Sequence, residues 1–194
     1  LRESIEKNNT EILSQREFVE NSFIDLTAHL AEKYLESCNF CERVCGINRI
    51  EGKLGYCQIP AESYLSSAFL HTGEESVLVP SGTIFFLGCN FGCVFCQNYD
   101  ISQSWKNRRD PADMARLITP KRLAEIAESL GEKGALNINY VGGDPIPNLH
   151  TIIKSLTFQT ENICQLWNSN FYLTEESLSL IVDLMDFWLP DFKY

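Results

Sequence analysis

"TIFFLGCNFGCVFCQN", residues 83–98, begins as a strand and ends as a ligand loop. Its first five residues are apolar, aromatic and β-branched, as a buried strand requires, and Gly88 stops them. Cys89, Cys93 and Cys96 follow at C-x3-C-x2-C spacing. Thr119-Pro120 then predicts a helix start, threonine as N-cap and proline in the first turn. Leu123, Ile126, Ala127 and Leu130 mark its buried face and Gly134 its end. A second strand over 135–141 (ALNINYV) runs into Gly142-Gly143-Asp144-Pro145. A helix over 149–156 follows, capped by Asn148, and a third strand over 163–167 ends in Asn168-Ser169-Asn170. Thr174 caps a helix reaching about Met185, and a fourth strand over 186–189 is cut off at Pro190, with Asp191 and Lys193 beyond it.

Strands alternating with helices predict parallel βα units with right-handed crossovers. Such sheets carry their chemistry at the C-terminal ends of the strands. Here four successive strand ends bear the cysteine loop, Gly142–Asp144, Asn168/Asn170 and Asp191/Lys193. One polar strand end is ordinary loop chemistry, but four on one rim predict an active site.

Three thiolates cannot complete a tetrahedral zinc site, nor ligate every iron of a four-iron cube. The simplest reading is a 4Fe-4S cluster whose fourth iron is left for a substrate or cofactor. The other cysteines divide differently. Cys38, Cys41, Cys45 and Cys57 supply a closed set of four, fitting a zinc knuckle or an auxiliary iron–sulfur cluster, with unligated buried thiols as the plain alternative. Cys164 stands alone and reads as a small buried residue.

The whole chain bounds these readings. Its 194 residues, 44% hydrophobic and 22% charged, suit a globular protein with no run of membrane-spanning length. A net charge of −10 argues against a general nucleic-acid binder, although Arg108–Arg109 or Arg43/Arg49 could form a local basic pocket. No secretory signal is visible, so the expected compartment is the reducing cytoplasm, where clustered cysteines bind metal. Residues 1–36 read as amphipathic helices with Ile12, Phe18, Val19, Phe23, Leu26 and Leu30 on the apolar face. Residues 37–80 read as a Cys-rich knuckle and connector, and 81–194 as the sheet. His71 is a candidate for the site, whereas His29 and His150 read as structural.

The C-x3-C-x2-C loop after a first strand resembles the radical S-adenosylmethionine (SAM) enzymes. Gly142-Gly143-Asp144-Pro145 resembles that superfamily's "GGE" motif, with aspartate replacing glutamate. "WNSNFY", "DFWLPDFKY" and the upstream "CNFCERVCGINRIEGKLGYC" are similar to a branch related to pyruvate formate-lyase activating enzyme. The resemblance implies a 4Fe-4S cluster on Cys89, Cys93 and Cys96, and SAM on the backbone of Gly142, Gly143 and Asp144. It places Phe95 near the adenine or cluster and Asn168, Asp191 and Lys193 along the SAM or substrate side. It implies a partial TIM-like (β/α) barrel, truncated after about four strands, behind an N-terminal helical and Cys-rich extension. The implied activity is reductive SAM cleavage to a 5′-deoxyadenosyl radical, fed by an electron donor and acting on a protein or small molecule. The rival is a non-catalytic metal-binding scaffold, an incomplete half-barrel needing a partner.

Overall fold

The computed structural model describes residues 22–107 and 110–193. Ile12, Phe18, Val19, Arg108, Arg109 and Tyr194 lie outside the described residues. The helices are α1 (Phe23–Lys33), α2 (Tyr99–Ser102, a single turn), α3 (Pro120–Glu132), α4 (Leu149–Leu156) and α5 (Glu175–Ile181). The strands are β1 (Ser63–His71), β2 (Ser81–Phe86), β3 (Arg116–Ile118), β4 (Asn137–Gly142), β5 (Cys164–Ser169) and β6 (Phe187–Pro190). They form one open sheet in the order β3-β1-β2-β4-β5-β6.

The four strands expected from sequence are β2, β4, β5 and β6, and they pair in parallel. Two more were not expected. β1 runs antiparallel to β2 on one side and to β3 on the other. The sequence reading placed β1 in a connector because the preceding cysteine and glycine composition dominated it. β3, three residues long, is too short to show any period. The mixed α/β architecture stands, enlarged from a parallel set to a six-stranded mixed sheet.

Local chemistry explains the elements. Thr119 Oγ1 accepts from Arg122 N at 3.3 Å and Pro120 begins α3. Thr174 caps α5 in the same way, but α5 ends at Ile181, short of the expected Met185. Asn148 does not cap α4 through its side chain: it is fully buried, and its Nδ2 donates to Leu87 O at 3.2 Å. In α1 the expected stripe is corrected, because Phe23, Leu26 and Leu30 are exposed while Thr27, Ala28 and Ala31 are buried. This small-residue face lets α1 lie against α4 and α5.

One core joins α1, the helices of the βα units and the sheet through residues such as Ala28, Ile84, Leu123, Ile138, Ile152 and Trp167. A second cluster, Ile59, Leu87, Trp105 and Ala115, includes the residue preceding Gly88 and packs against Cys57 and Ile101. It meets the start of the cysteine loop, where a Cβ on Gly88 would stand 2.4 Å from Ile59 Cγ1. Among the described residues no helix is long and apolar enough to cross a membrane.

Candidate functional site

Parallel β2, β4, β5 and β6 end on the same rim, and there the structure opens a cavity of about 260 Å³. Cys89, Cys93, Phe95 and Cys96 line it, as do Gly142, Gly143, Asp144, Asn168, Asp191 and Lys193. Every residue singled out for the downstream site therefore reaches one cavity. Phe91, Asn98, Ser169 and Asn170 join them.

The two glycines are demanded by the backbone around them. Gly142 has φ +126°, and a Cβ there would stand 2.2 Å from Phe86 N. A Cβ on Gly143 would stand 2.1 Å from Gly88 O. Gly143 N donates to Phe86 O at 2.9 Å and Asp144 N to Gly88 O at 2.8 Å, so the β4 loop is laced directly onto the start of the cysteine loop. Asp144, 3% exposed, accepts from Ile146 N at 3.0 Å, Asn170 N at 2.9 Å and the Ser169 hydroxyl at 3.1 Å. Burial pushes its carboxyl up to about 6, while these hydrogen bonds pull the other way. Its side chain thus ties the β4 and β5 loops together. Asp191 pairs with Lys193 at the outer lip.

The three thiols occupy different surroundings. Cys89 is 6% exposed, and its Sγ accepts from Phe91 N at 3.3 Å. Burial, and secondarily the Asp144 charge, push its thiol up to about 12. Cys93 and Cys96 are half-buried, and Cys96 Sγ lies 3.2 Å from Ser102 Oγ. Between Cys93 and Cys96 the loop carries Val94 and Phe95 out, 98% and 58% exposed, although Phe95 still borders the cavity. All eight cysteines are free.

Among the described residues no three His, Cys, Asp or Glu side chains converge on one point for a single metal ion. A cubane sets a different condition, since each thiolate takes its own iron. Three free thiols around one roomy cavity, with no fourth cysteine lining it, fit such a cluster by donor chemistry.

Sequence reasoning passed over Asn90, Lys106 and Asn98. Asn90 Oδ1 accepts from Asn170 Nδ2 at 2.7 Å, and its Nδ2 donates to Tyr172 O at 3.1 Å. Lys106 Nζ donates to Cys89 O at 3.2 Å, and Asn98 Nδ2 to Gly142 O at 3.4 Å. The asparagines directly after Cys89 and after Gln97 were the available signal. His71 is corrected: it pairs with Ser81 at the start of β2, a strand's length from the cavity. His150 is structural, stacked on Phe40 with centroids 5.8 Å apart. His29 is exposed and Cys164 half-buried at the start of β5.

The upstream cysteines reach a different place. Cys38, Cys41, Cys45 and Cys57 all line one small pocket beside the cysteine loop. Burial pushes Cys41 up to about 11 and also raises Cys57.

The sequence pattern of the radical SAM superfamily matches residues 83–187, more than half of the chain. An uncharacterized protein of Methanocaldococcus jannaschii is 46% identical over 178 residues, covering 92% of this chain and 52% of that protein. The chain thus spans about half the length of the curated relative it matches. No solved structure matches it. With the matched segment beginning in β2, containing all three cysteines and closing at β6, the chain belongs to the radical SAM superfamily.

Proposed function

We propose that the rim cavity binds a 4Fe-4S cluster through Cys89, Cys93 and Cys96, with SAM held beside it by the backbone of Gly142–Asp144. The observation that carries this is that the thiol loop and the other three strand ends line a single cavity. Such a cluster, when bound and reduced by an external donor, supplies the electron that breaks the SAM sulfonium bond to give a 5′-deoxyadenosyl radical. The chain's own part is binding, orientation and exclusion of water. Gly142 and Gly143 carry no side chain that could bar the methionine end, and their carbonyls are acceptors suited to its ammonium group. Asp144 fixes those glycines through Ser169 and Asn170. Phe95 offers an apolar face to the adenine or cluster, and Asn168, Asp191 and Lys193 add polar groups to the same lining. The motif resemblance supports an activating-enzyme-like branch working in a reducing cytoplasm.

The test is to incubate the full-length, iron-replete protein anaerobically with dithionite and SAM. Formation of 5′-deoxyadenosine is expected. Its absence from fully loaded protein would reject the enzyme in favour of the scaffold reading.

A further inference from the structure

The upstream pocket contains a cation with no anion. Arg49 is 1% exposed and lines the pocket with Cys38, Cys41, Cys45 and Cys57. Its Nε and Nη2 donate to Pro60 O at 3.1 and 2.6 Å, and Nη2 also to Pro147 O at 2.9 Å. Nη1 is buried without a hydrogen-bond partner. These acceptors are neutral, and among the described residues no carboxylate pairs with the guanidinium. A guanidinium does not deprotonate in a protein, and a buried charge without a counter-charge is strongly unfavourable. Besides the Tyr56 phenol, the groups in this pocket able to become anions are the four thiols.

Space decides what they hold. The pocket encloses about 20 Å³, room for roughly one water-sized body, which favours one ion over a four-iron cube. The backbone is bent to this purpose. Val44 and Gly46 have φ of 40° and 60°, turning the chain between Cys41 and Cys45 and just beyond it. A positive φ on a β-branched residue is an outlier that needs a compensating interaction. At Gly55 a Cβ would stand 3.0 Å from Cys45 Sγ, a tight contact that glycine avoids.

We propose that Cys38, Cys41, Cys45 and Cys57 hold one zinc ion, forming an anionic four-thiolate centre whose buried counter-cation is Arg49. Binding releases the four thiol protons and leaves two net negative charges at the centre. As they stand, no three of the four thiols converge on one point, so binding must draw the sulfurs together, the exposed Cys45 among them. The centre supports the radical loop, because Glu42 N donates to Tyr172 O at 3.3 Å and Arg43 Nε to Asn90 O at 2.6 Å.

The proposal goes beyond SAM cleavage, and its test is independent of it. A Cys89→Ala/Cys93→Ala/Cys96→Ala variant of the full chain is purified in air and analysed for metals. About one tightly held zinc per chain is expected, with no iron. Cobalt replacing the zinc should show thiolate charge-transfer bands of a tetrahedral site. In this background Cys45→Ser and Arg49→Met should each weaken zinc about 10- to 100-fold in chelator competition, with Arg49→Lys recovering part of the loss. Circular dichroism identifies folded variants, and if Arg49→Met fails to fold, Arg49→Lys and Cys45→Ser carry the test. Absence of stoichiometric metal, iron and sulfide in place of zinc, or unchanged affinity in folded Cys45→Ser would each overturn the proposal.

Discussion

The two cysteine loops of this protein adjoin at Asn90 and differ in almost everything else. Downstream, three thiols border a cavity of about 260 Å³ whose other walls are glycine backbone, asparagines and an Asp191–Lys193 pair. Upstream, four thiols border about 20 Å³ with an uncompensated Arg49. An incomplete ligand set with space beside it leaves a coordination position for chemistry, whereas a complete set without space can only hold. Asn90 is where they meet: it lines the upstream pocket, follows Cys89, takes Arg43 on its carbonyl and Asn170 on its side chain.

The sharpest way to break that contrast is Cys93→Ala. It should abolish the iron–sulfur signal of the anaerobically reduced protein, and 5′-deoxyadenosine formation with it, while zinc stays near its parent stoichiometry. Metal analysis beside electron paramagnetic resonance reads both at once. Joint loss of iron and zinc would mean the two loops share one metal centre. A smaller effect separates close approach from mere backbone preference. Gly143→Ala forces a Cβ to 2.1 Å from Gly88 O, whereas Gly134→Ala, at φ +97°, meets open space. The first should cost about 3 kcal/mol as an overpacked contact, the second about 1 kcal/mol as a left-handed alanine. Urea midpoints measure both, and equal costs would show that the lacing of the two loops is not tight.

The downstream site was legible because its residues sit at strand ends, and the parallel topology brings strand ends together whatever lies between them. Cys89, Gly142, Asn168 and Asp191 needed only the strand count from β2 onward. The upstream pocket was half legible. Four cysteines at ligand spacing and Arg49 as a basic-pocket candidate are visible in the sequence, but the burial of Arg49 among them shows only once Pro60 and Pro147, 11 and 98 residues away, have closed around it. β1 was lost for a related reason: its partners are β2 and β3, and pairing, more than local composition, makes SYLSSAFLH a strand. The α1 stripe failed because its packing face uses alanines, which carry almost no hydrophobic signal of their own.

The finest contrast between the regions is in acid. His150 lies under the upstream pocket, stacked on Phe40, with Nε2 2.7 Å from Ala61 O. Burial, then the Arg49 charge, depress it to about 3 from an ordinary 6.5, against the pull of the Ala61 carbonyl. A depressed folded value means the unfolded chain takes the proton first. The native state therefore keeps its full margin above pH 6.5 and loses it as pH falls from there toward about 3. The limiting slope is about 1.4 kcal/mol per pH unit. His150→Gln keeps a donor for Ala61 but no titration. Between pH 7 and pH 5.5 the parent should lose about 1 kcal/mol more than this variant, read as the difference of their urea unfolding free energies. Taking that difference cancels the acid sensitivity of the thiolate centre, which both proteins share. Parallel pH profiles would mean that His150 titrates as freely in the folded protein as in the unfolded one, and that the ground beneath the upstream pocket is wet.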